Sequence, residues 1–304
     1  MTIGYDKPLY ILPFDHRTLF QSSLYGWSGA LSPEQTEKIA DTKDIIYDAF
    51  KIALRRGVPK ENAGILVDAQ FGERILRDAI KNGYITCMPA EKSDQAEFTF
   101  EYGERYANVI QEYNPTFVKT LVRYNPERDE TMNRRQAARL RELADYLSSH
   151  NRYFMFELLV PATREQLDQC GGDQKLYDRA LRPSLMLRAI QELQDAGVEP
   201  DVWKIEGFDT RQEFVAVADV ARRNGRANVG CILLGRGAHA DTIIDWLEKG
   251  ASVPGFSGFA VGRTTFWEPI VAYRDGKATR THAAEQIAKN YLEWVRVFQE
   301  GKKG

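Results

Sequence analysis

Eight short apolar runs recur along the chain, and a helical pattern follows each of them. The runs cover 9–14, 64–67, 84–88, 116–122, 153–159, 201–208, 229–234 and 258–261. Most are continuously apolar rather than alternating, which suits strands covered on both faces, as in a parallel sheet wrapped by helices. The stretches between them carry helix signals. Ser32-Pro33-Glu34-Gln35 has a serine N-cap, a proline at the first helical position and a glutamine closing a capping box. Ile39, Ile46, Phe50 and Leu54 then keep an approximate 3.6 period up to Gly57.

Further helices are expected over about 102–113, 126–149, 183–196, 211–224, 241–249 and 283–298, with another between Asp68 and Gly83. Gly171-Gly172-Asp173 marks a flexible point in a long loop after the fifth run. Eight such units in 304 residues fit a single (β/α)8 TIM barrel spanning 1–304. A doubly wound open sheet is the competing architecture, but the first turn has no Gly-x-Gly-x-x-Gly.

Composition removes several classes of function. A net charge of -2 gives no footprint for nucleic acid or an acidic membrane. No apolar run approaches the roughly 18 residues needed to cross a bilayer. The first residues, Met1 to Pro8, are polar and lack the apolar core of a signal peptide. Cys87, Cys170 and Cys231 are few, odd in number and far apart, so a disulfide framework and a Cys-x-x-Cys zinc site are not expected. These features read as a reduced, cytoplasmic protein. His16, His150, His239 and His282 form no His-x-x-x-His pair, so neither a metal nor a cofactor is expected.

In a (β/α)8 barrel the site lies at the C-terminal ends of the strands. The polar residues that interrupt or end the runs are therefore the candidates. They are Asp15, His16, Asp68, Gln70, Glu91, Lys92, Lys119, Glu157, Lys204, Glu206, Arg236 and Arg263. Any one of them alone could be a solvated strand end or a core ion pair. Lys204, within Val202-Trp203-Lys204-Ile205-Glu206, reads either as a structural charge or as a nucleophilic amine.

Three charges lie inside runs: Lys119, Glu157 and Lys204. Strand alternation puts Phe117, Lys119 and Leu121 on one face, pointing into the barrel, and the same holds for Glu157 and Lys204. A Lys-Glu-Lys cluster across strands four, five and six is then expected. A second cation beside Lys204 favours its free amine, and a nearby carboxylate opposes that shift but can carry protons. That is the set of groups Schiff-base chemistry requires.

Gly235-Arg236-Gly237 and Gly262-Arg263 end the seventh and eighth runs, where barrels frequently bind phosphate. Glycine lets backbone N–H groups approach an anion and arginine adds a forked donor. A ketose phosphate held there would present its carbonyl to Lys204. Amine attack and loss of water give an iminium. The C3–C4 bond breaks once a base removes the C4 hydroxyl proton, and Glu157, Asp15 and Glu91 are the candidate bases.

The segments Leu12-Pro13-Phe14-Asp15-His16-Arg17, Ile65-Leu66-Val67-Asp68, Val118-Lys119-Thr120-Leu121, Phe156-Glu157-Leu158, Val202-Trp203-Lys204-Ile205-Glu206 and Gly262-Arg263 resemble the class I tagatose-bisphosphate aldolases and their relatives. The resemblance extends to the aldolase-like domain fused behind bacterial 5-dehydro-2-deoxygluconokinase, and it runs over most of the chain. It implies Lys204 as the Schiff-base lysine, Lys119 and Glu157 assisting it, and Asp15 near the sugar hydroxyls. It implies a phosphate held by Arg263 and the backbone of residues 235–237. It suggests 5-dehydro-2-deoxy-gluconate 6-phosphate as substrate, cleaved to dihydroxyacetone phosphate and malonate semialdehyde in inositol catabolism.

Two positions depart from the pattern. His16 stands where tagatose-bisphosphate aldolases usually carry glutamine, and Arg236 lies in a loop usually less basic. No kinase segment accompanies the barrel in these residues, so a free-standing version is expected. An extra cation would match a carboxylate or sulfonate. The other readings are an aldolase for a phosphorylated ketohexose or sulfosugar, and a non-catalytic barrel that binds a sugar phosphate. A homo-oligomer stays open, because Tyr291, Trp294 and Phe298 could cap the barrel or meet another subunit.

Overall fold

Eight parallel strands close on themselves in the order β1 to β8, with β8 pairing back to β1. The computed structural model describes residues 3–303, so Met1, Thr2 and Gly304 of the expected 1–304 span lie outside it. The strands are β1 Leu9–Pro13, β2 Ala63–Leu66, β3 Ile85–Pro89, β4 Phe117–Arg123, β5 Tyr153–Leu159, β6 Val202–Glu206, β7 Gly230–Leu234 and β8 Phe256–Ala260. The helices are α1 Pro33–Arg55, α2 Ala69–Lys81, α3 Tyr106–Tyr113, α4 Glu130–Ser149, α5 Arg164–Gln169, α6 Gln174–Ala180, α7 Arg182–Asp195, α8 Arg211–Ala221, α9 Ala240–Ala251, α10 Arg263–Arg274 and α11 Arg280–Gly301. This is the expected (β/α)8 TIM barrel.

The two-residue period of the strands sorts their side chains into two cores. Outward residues such as Val118, Phe154, Phe156, Trp203 and Ile205 pack under the helices. Inward residues fill the lumen from the bottom: Leu9, Ile11, Leu66, Cys87, Phe117, Met155, Val202 and Ile232. Tyr5 plugs this lower end edge-on against the rings of Phe117 and Tyr153. Counting upward by two from Phe117, Met155 and Val202 reaches Lys119, Glu157 and Lys204. The lower layers are apolar and the layer above them is charged, so the charges sit at the C-terminal end of the lumen.

The capping box expected at the start of α1 is present. Ser32 Oγ accepts from the Gln35 amide at 3.2 Å, and the Gln35 side chain accepts from the Ser32 amide at 2.9 Å. Gly171 and Gly172 adopt positive φ and reverse the chain between α5 and α6. Tyr291, Trp294 and Phe298 on α11 are buried within this chain, with Tyr291 donating to the Tyr10 carbonyl and Trp294 to Thr265. Tyr291 and Phe298 pack on the outer face of β1 and β8 against Tyr10 and Phe259, and Trp294 reaches α10, each contributing roughly 2–3 kcal/mol of apolar burial.

Other elements differ. The fourth helix begins at Glu130 rather than Pro126, because Asn125 Oδ1 captures the Glu127 amide in a turn and Asp129 caps Met132. The long loop after β5 contains α5 and α6, capped by Thr163 and Asp173. A π-helical turn, Leu19–Leu24, follows β1. Gly262-Arg263-Thr264, after the eighth run, opens a helix not expected from the sequence, α10, which carries Pro269 inside it and no side-chain N-cap, so the usual signals are missing. Among the described residues no helix is long and apolar enough to cross a membrane.

Candidate functional site

β4, β5 and β6 bring the lumen charges into direct contact. Glu157 is the register partner of Lys204 across the β5–β6 pair, so both project into the lumen at the same height. Glu157 Oε2 lies 2.7 Å from Lys204 Nζ and 2.9 Å from Lys119 Nζ. Lys119 Nζ also lies 2.7 Å from Glu91 Oε1 and 3.0 Å from Asp15 Oδ2. The side chains of Lys119 and Lys204 are only 2% and 5% exposed, so these pairs act with little screening by water.

The site therefore gathers two lysines and three carboxylates. Burial alone would push all three carboxyls up. At Asp15 the charges of Lys119, His16 and Lys204 win and hold the group well below its ordinary range. At Glu157 the two lysines also win and lower it. At Glu91 burial prevails over Lys119 and the carboxyl is raised. Lys119 is pushed down by burial, but Asp15, Glu157 and Glu91 together raise it well above its ordinary value. Asp15 and Glu157 are thus the ionised acceptors, and Lys119 is a fixed cation between them.

These groups line a cavity of about 430 Å³ at the C-terminal end of the barrel. His16 lines it too, with its ring edge-on to Phe266 and Nδ1 3.9 Å from Asp15. Burial, with Lys204 and Lys43 nearby, lowers its pKa to about 4 against the pull of Asp15, so it is a neutral imidazole at pH 7. Gly235, Arg236, Gly237, Gly262 and Arg263, from the ends of β7 and β8, line it as well. There Arg263 Nη2 donates to the Arg236 carbonyl at 2.6 Å, and Gly237 at φ 76° leaves room for that guanidinium. A Cβ on Gly237 would stand 2.2 Å from Arg263 Nη2.

Three of the candidate residues lie off the cavity wall: Asp68, Gln70 and Glu206, the last buried at the end of β6 against Arg236 and Arg182. Asp68 does not line the cavity: it is 1% exposed, caps α2 through the Phe71 amide at 2.9 Å, and pairs with Lys43 of α1. Its carboxylate meets Lys43 between strand and helix, where the rings of Phe20 and Phe71 cover the Lys43 ammonium. Gln70, next in α2, is exposed and is not part of the cavity wall. Lys43 escaped the sequence reading, yet it sits with Ile39, Ile46 and Phe50 on one helical face, which signals a buried lysine in need of an acid.

Sequence reasoning also passed over Arg123, Arg17, Asp178 and Arg182. Arg123 lines the cavity four residues beyond Lys119 on the same strand face, a phase that could have revealed it. Arg17 is buried and ties the β3 end in place, donating to the Glu91 carbonyl at 2.7 Å and to Glu101 at 2.7 Å. Asp178 and Arg182 come from the α6–α7 segment, which no strand pattern announces. Among the described residues no group of three or more His, Cys, Asp or Glu side chains is gathered so as to hold a metal ion.

The family described as "Uncharacterized protein conserved in bacteria (DUF2090)" matches residues 4–302. The chain belongs to the DUF2090 family. No curated protein matches it. In fold this DUF2090 chain is similar to Cgl0159 from Corynebacterium glutamicum, with a TM-score of 0.59 and 15% identity over 96% of this chain and 88% of that one. It is similar to an archaeal fructose 1,6-bisphosphate aldolase, with a TM-score of 0.55 and 13% identity over 96% of both chains. It is also similar to the fructose-bisphosphate aldolase from Slackia heliotrinireducens, with a TM-score of 0.57 and 13% identity over 96% of this chain and 86% of that one. These likenesses establish a shared barrel.

Proposed function

We propose that this DUF2090 chain is a class I aldolase that cleaves a phosphorylated keto sugar acid. The observation that carries the reading is the contact of Glu157 Oε2 with Lys204 Nζ at 2.7 Å inside a cavity that also holds Lys119 and Asp15. The likeness in fold to two fructose-bisphosphate aldolases supports a sugar-phosphate barrel. The sequence resemblance to tagatose-bisphosphate aldolases and to the kinase-fused domain supports the assignment of Lys204.

In this mechanism the substrate phosphate lies against Arg263 and the 235–237 backbone. Its ketone carbon faces Lys204 Nζ. Glu157 accepts a proton from the Lys204 ammonium, and the freed amine attacks the carbonyl carbon to give a carbinolamine. The carbinolamine hydroxyl takes up a proton and leaves as water, forming an iminium. Asp15 or Glu157 then removes the proton from the hydroxyl on the carbon β to the former carbonyl. The bond between the α and β carbons breaks, its electron pair enters the iminium to form an enamine, and the aldehyde departs. Protonation of the enamine and hydrolysis release dihydroxyacetone phosphate. Lys119 stays charged and steadies the carboxylates throughout.

The other end of the cavity supports an acid rather than a neutral sugar. Lys92 and Arg123 line it there. A carboxylate at the aldehyde end of the substrate meets those cations. A pure anion-binding barrel gains nothing from Glu157 between its lysines, because a buried carboxylate repels the ligand. The best substrate candidate is 5-dehydro-2-deoxy-gluconate 6-phosphate, with cytoplasmic inositol catabolism as its setting. Incubation with it should release dihydroxyacetone phosphate and malonate semialdehyde in equal amounts. Release from tagatose 1,6-bisphosphate or a sulfosugar phosphate alone would transfer the assignment to that substrate, and release from none would end it.

A further inference from the structure

Arg236 is the cation that the sequence offers to a substrate anion, but its surroundings give it other work. It is a non-glycine residue at φ 47°, a left-handed conformation that L side chains rarely adopt unless the surroundings hold them there. Its guanidinium lies 2.7 Å from Glu206 Oε1 and 3.1 Å from Asp178 Oδ2. Glu206 ends β6 two residues beyond Lys204, and its side chain is 3% exposed. Arg182 lies within 4.0 Å of Glu206 and 3.5 Å of Asp178, and it donates to the Gly207 carbonyl at 2.8 Å.

Two arginines and two carboxylates therefore balance. Such a network exerts little net pull on an incoming anion. Arg263 is different: its guanidinium donates to the Arg236 carbonyl at 2.6 Å, and among the described residues it forms no ion pair with a carboxylate. Arg236 thus joins three elements. Its side chain is fastened to the end of β6 and to α6, and its carbonyl fastens the guanidinium at the start of α10.

We propose that Arg236 is a positioning residue: clamped by Glu206 and Asp178, it sets the 235–237 loop and aims Arg263, and these two rather than Arg236 receive the substrate phosphate. This rests on the phosphate wall of the proposed function. The proposal reverses the sign of one expectation. If Arg236 were itself the ligand, neutralising Glu206 would free it and tighten anion binding. If Arg236 is the clamp, the same change loosens the loop and weakens binding.

The test is calorimetric titration with glycerol 3-phosphate, which has no carbonyl and so cannot form a Schiff base. Arg263→Ala first establishes the phosphate wall; unchanged affinity there would remove that part of the proposed function and this inference with it. With that loss in hand, Glu206→Gln and Arg236→Met should each weaken binding roughly tenfold, the scale of a lost charge-assisted hydrogen bond. The double variant should be no weaker than either single one, because both changes cut the same link. Tighter binding by Glu206→Gln, or additive losses, would overturn the proposal. Asp178 is more open than Glu206, so Asp178→Asn repeats the test where Glu206→Gln fails to fold: weaker binding supports the clamp and unchanged or tighter binding contradicts it.

Discussion

Glu157 Oε2 stands 2.7 Å from Lys204 Nζ, and the two residues are direct register partners on adjacent strands. The backbone pairing of β5 with β6 therefore sets their separation, with no loop needed to hold it. Glu157→Gln keeps the size of the side chain and removes the proton acceptor. It is expected to lower kcat by about 100-fold or more, the usual scale for a lost general base, while KM changes little. Steady-state kinetics on the purified variant check this. A variant with wild-type kcat would leave Glu157 as a structural counter-ion only.

Asp15 makes the pH dependence of stability specific. Burial raises its carboxyl, but Lys119, His16 and Lys204 outweigh that and hold it low. A carboxyl depressed in the fold contributes stability above its unfolded pKa of about 3.9, and that contribution is lost as pH falls through the folded value. Lys119 is raised instead, so its contribution is complete below its unfolded pKa of about 10.4 and fades only as pH rises through the folded value. Asp15→Asn should cost about 2 kcal/mol at pH 7 and less at each step below pH 4, measured by urea unfolding of both proteins. A cost that is the same at pH 7 and pH 3 would contradict the pairing.

The Lys43–Asp68 pair is a matter of stability. Lys43 is fully buried and Asp68 nearly so, and each is the other's partner. Lys43→Met leaves Asp68 buried without a counter-charge and should cost about 3–5 kcal/mol. Lys43→Met with Asp68→Asn should recover much of that, since asparagine still caps α2 and no lone charge remains. Denaturant midpoints measure both, and kcat/KM per folded molecule should stay near wild type. A large fall in kcat/KM at unchanged stability would return Asp68 to the substrate.

The barrel was legible because its signals are periodic. Apolar runs of strand length and helices between them repeat eight times, and one helix announces itself with Ser32 and Gln35. The lumen cluster was legible for the same reason: a charge inside an apolar run has only two faces to choose from, and Phe117, Met155 and Val202 identify the inner one. What stayed hidden depends on contacts made across the chain. Asp68 ends a strand just as Asp15 follows one, and only its pairing with Lys43 of α1 shows that it lies off the cavity wall. Arg236 reads as a free cation until Glu206 and Asp178 are seen against it. Asp178 sits on α6, a short helix inside a stretch that reads as loop, and Arg182 opens α7 one residue before its expected start.

The most direct test of the account is reductive trapping. The protein is incubated with dihydroxyacetone phosphate and borohydride, with and without a chelator, and the intact mass and peptide map are measured. One adduct per chain is expected on the peptide containing Lys204, in equal yield with chelator present and absent from Lys204→Met, which should still fold. No adduct, or an adduct on Lys119 or another lysine that persists in Lys204→Met, would contradict the Schiff-base assignment.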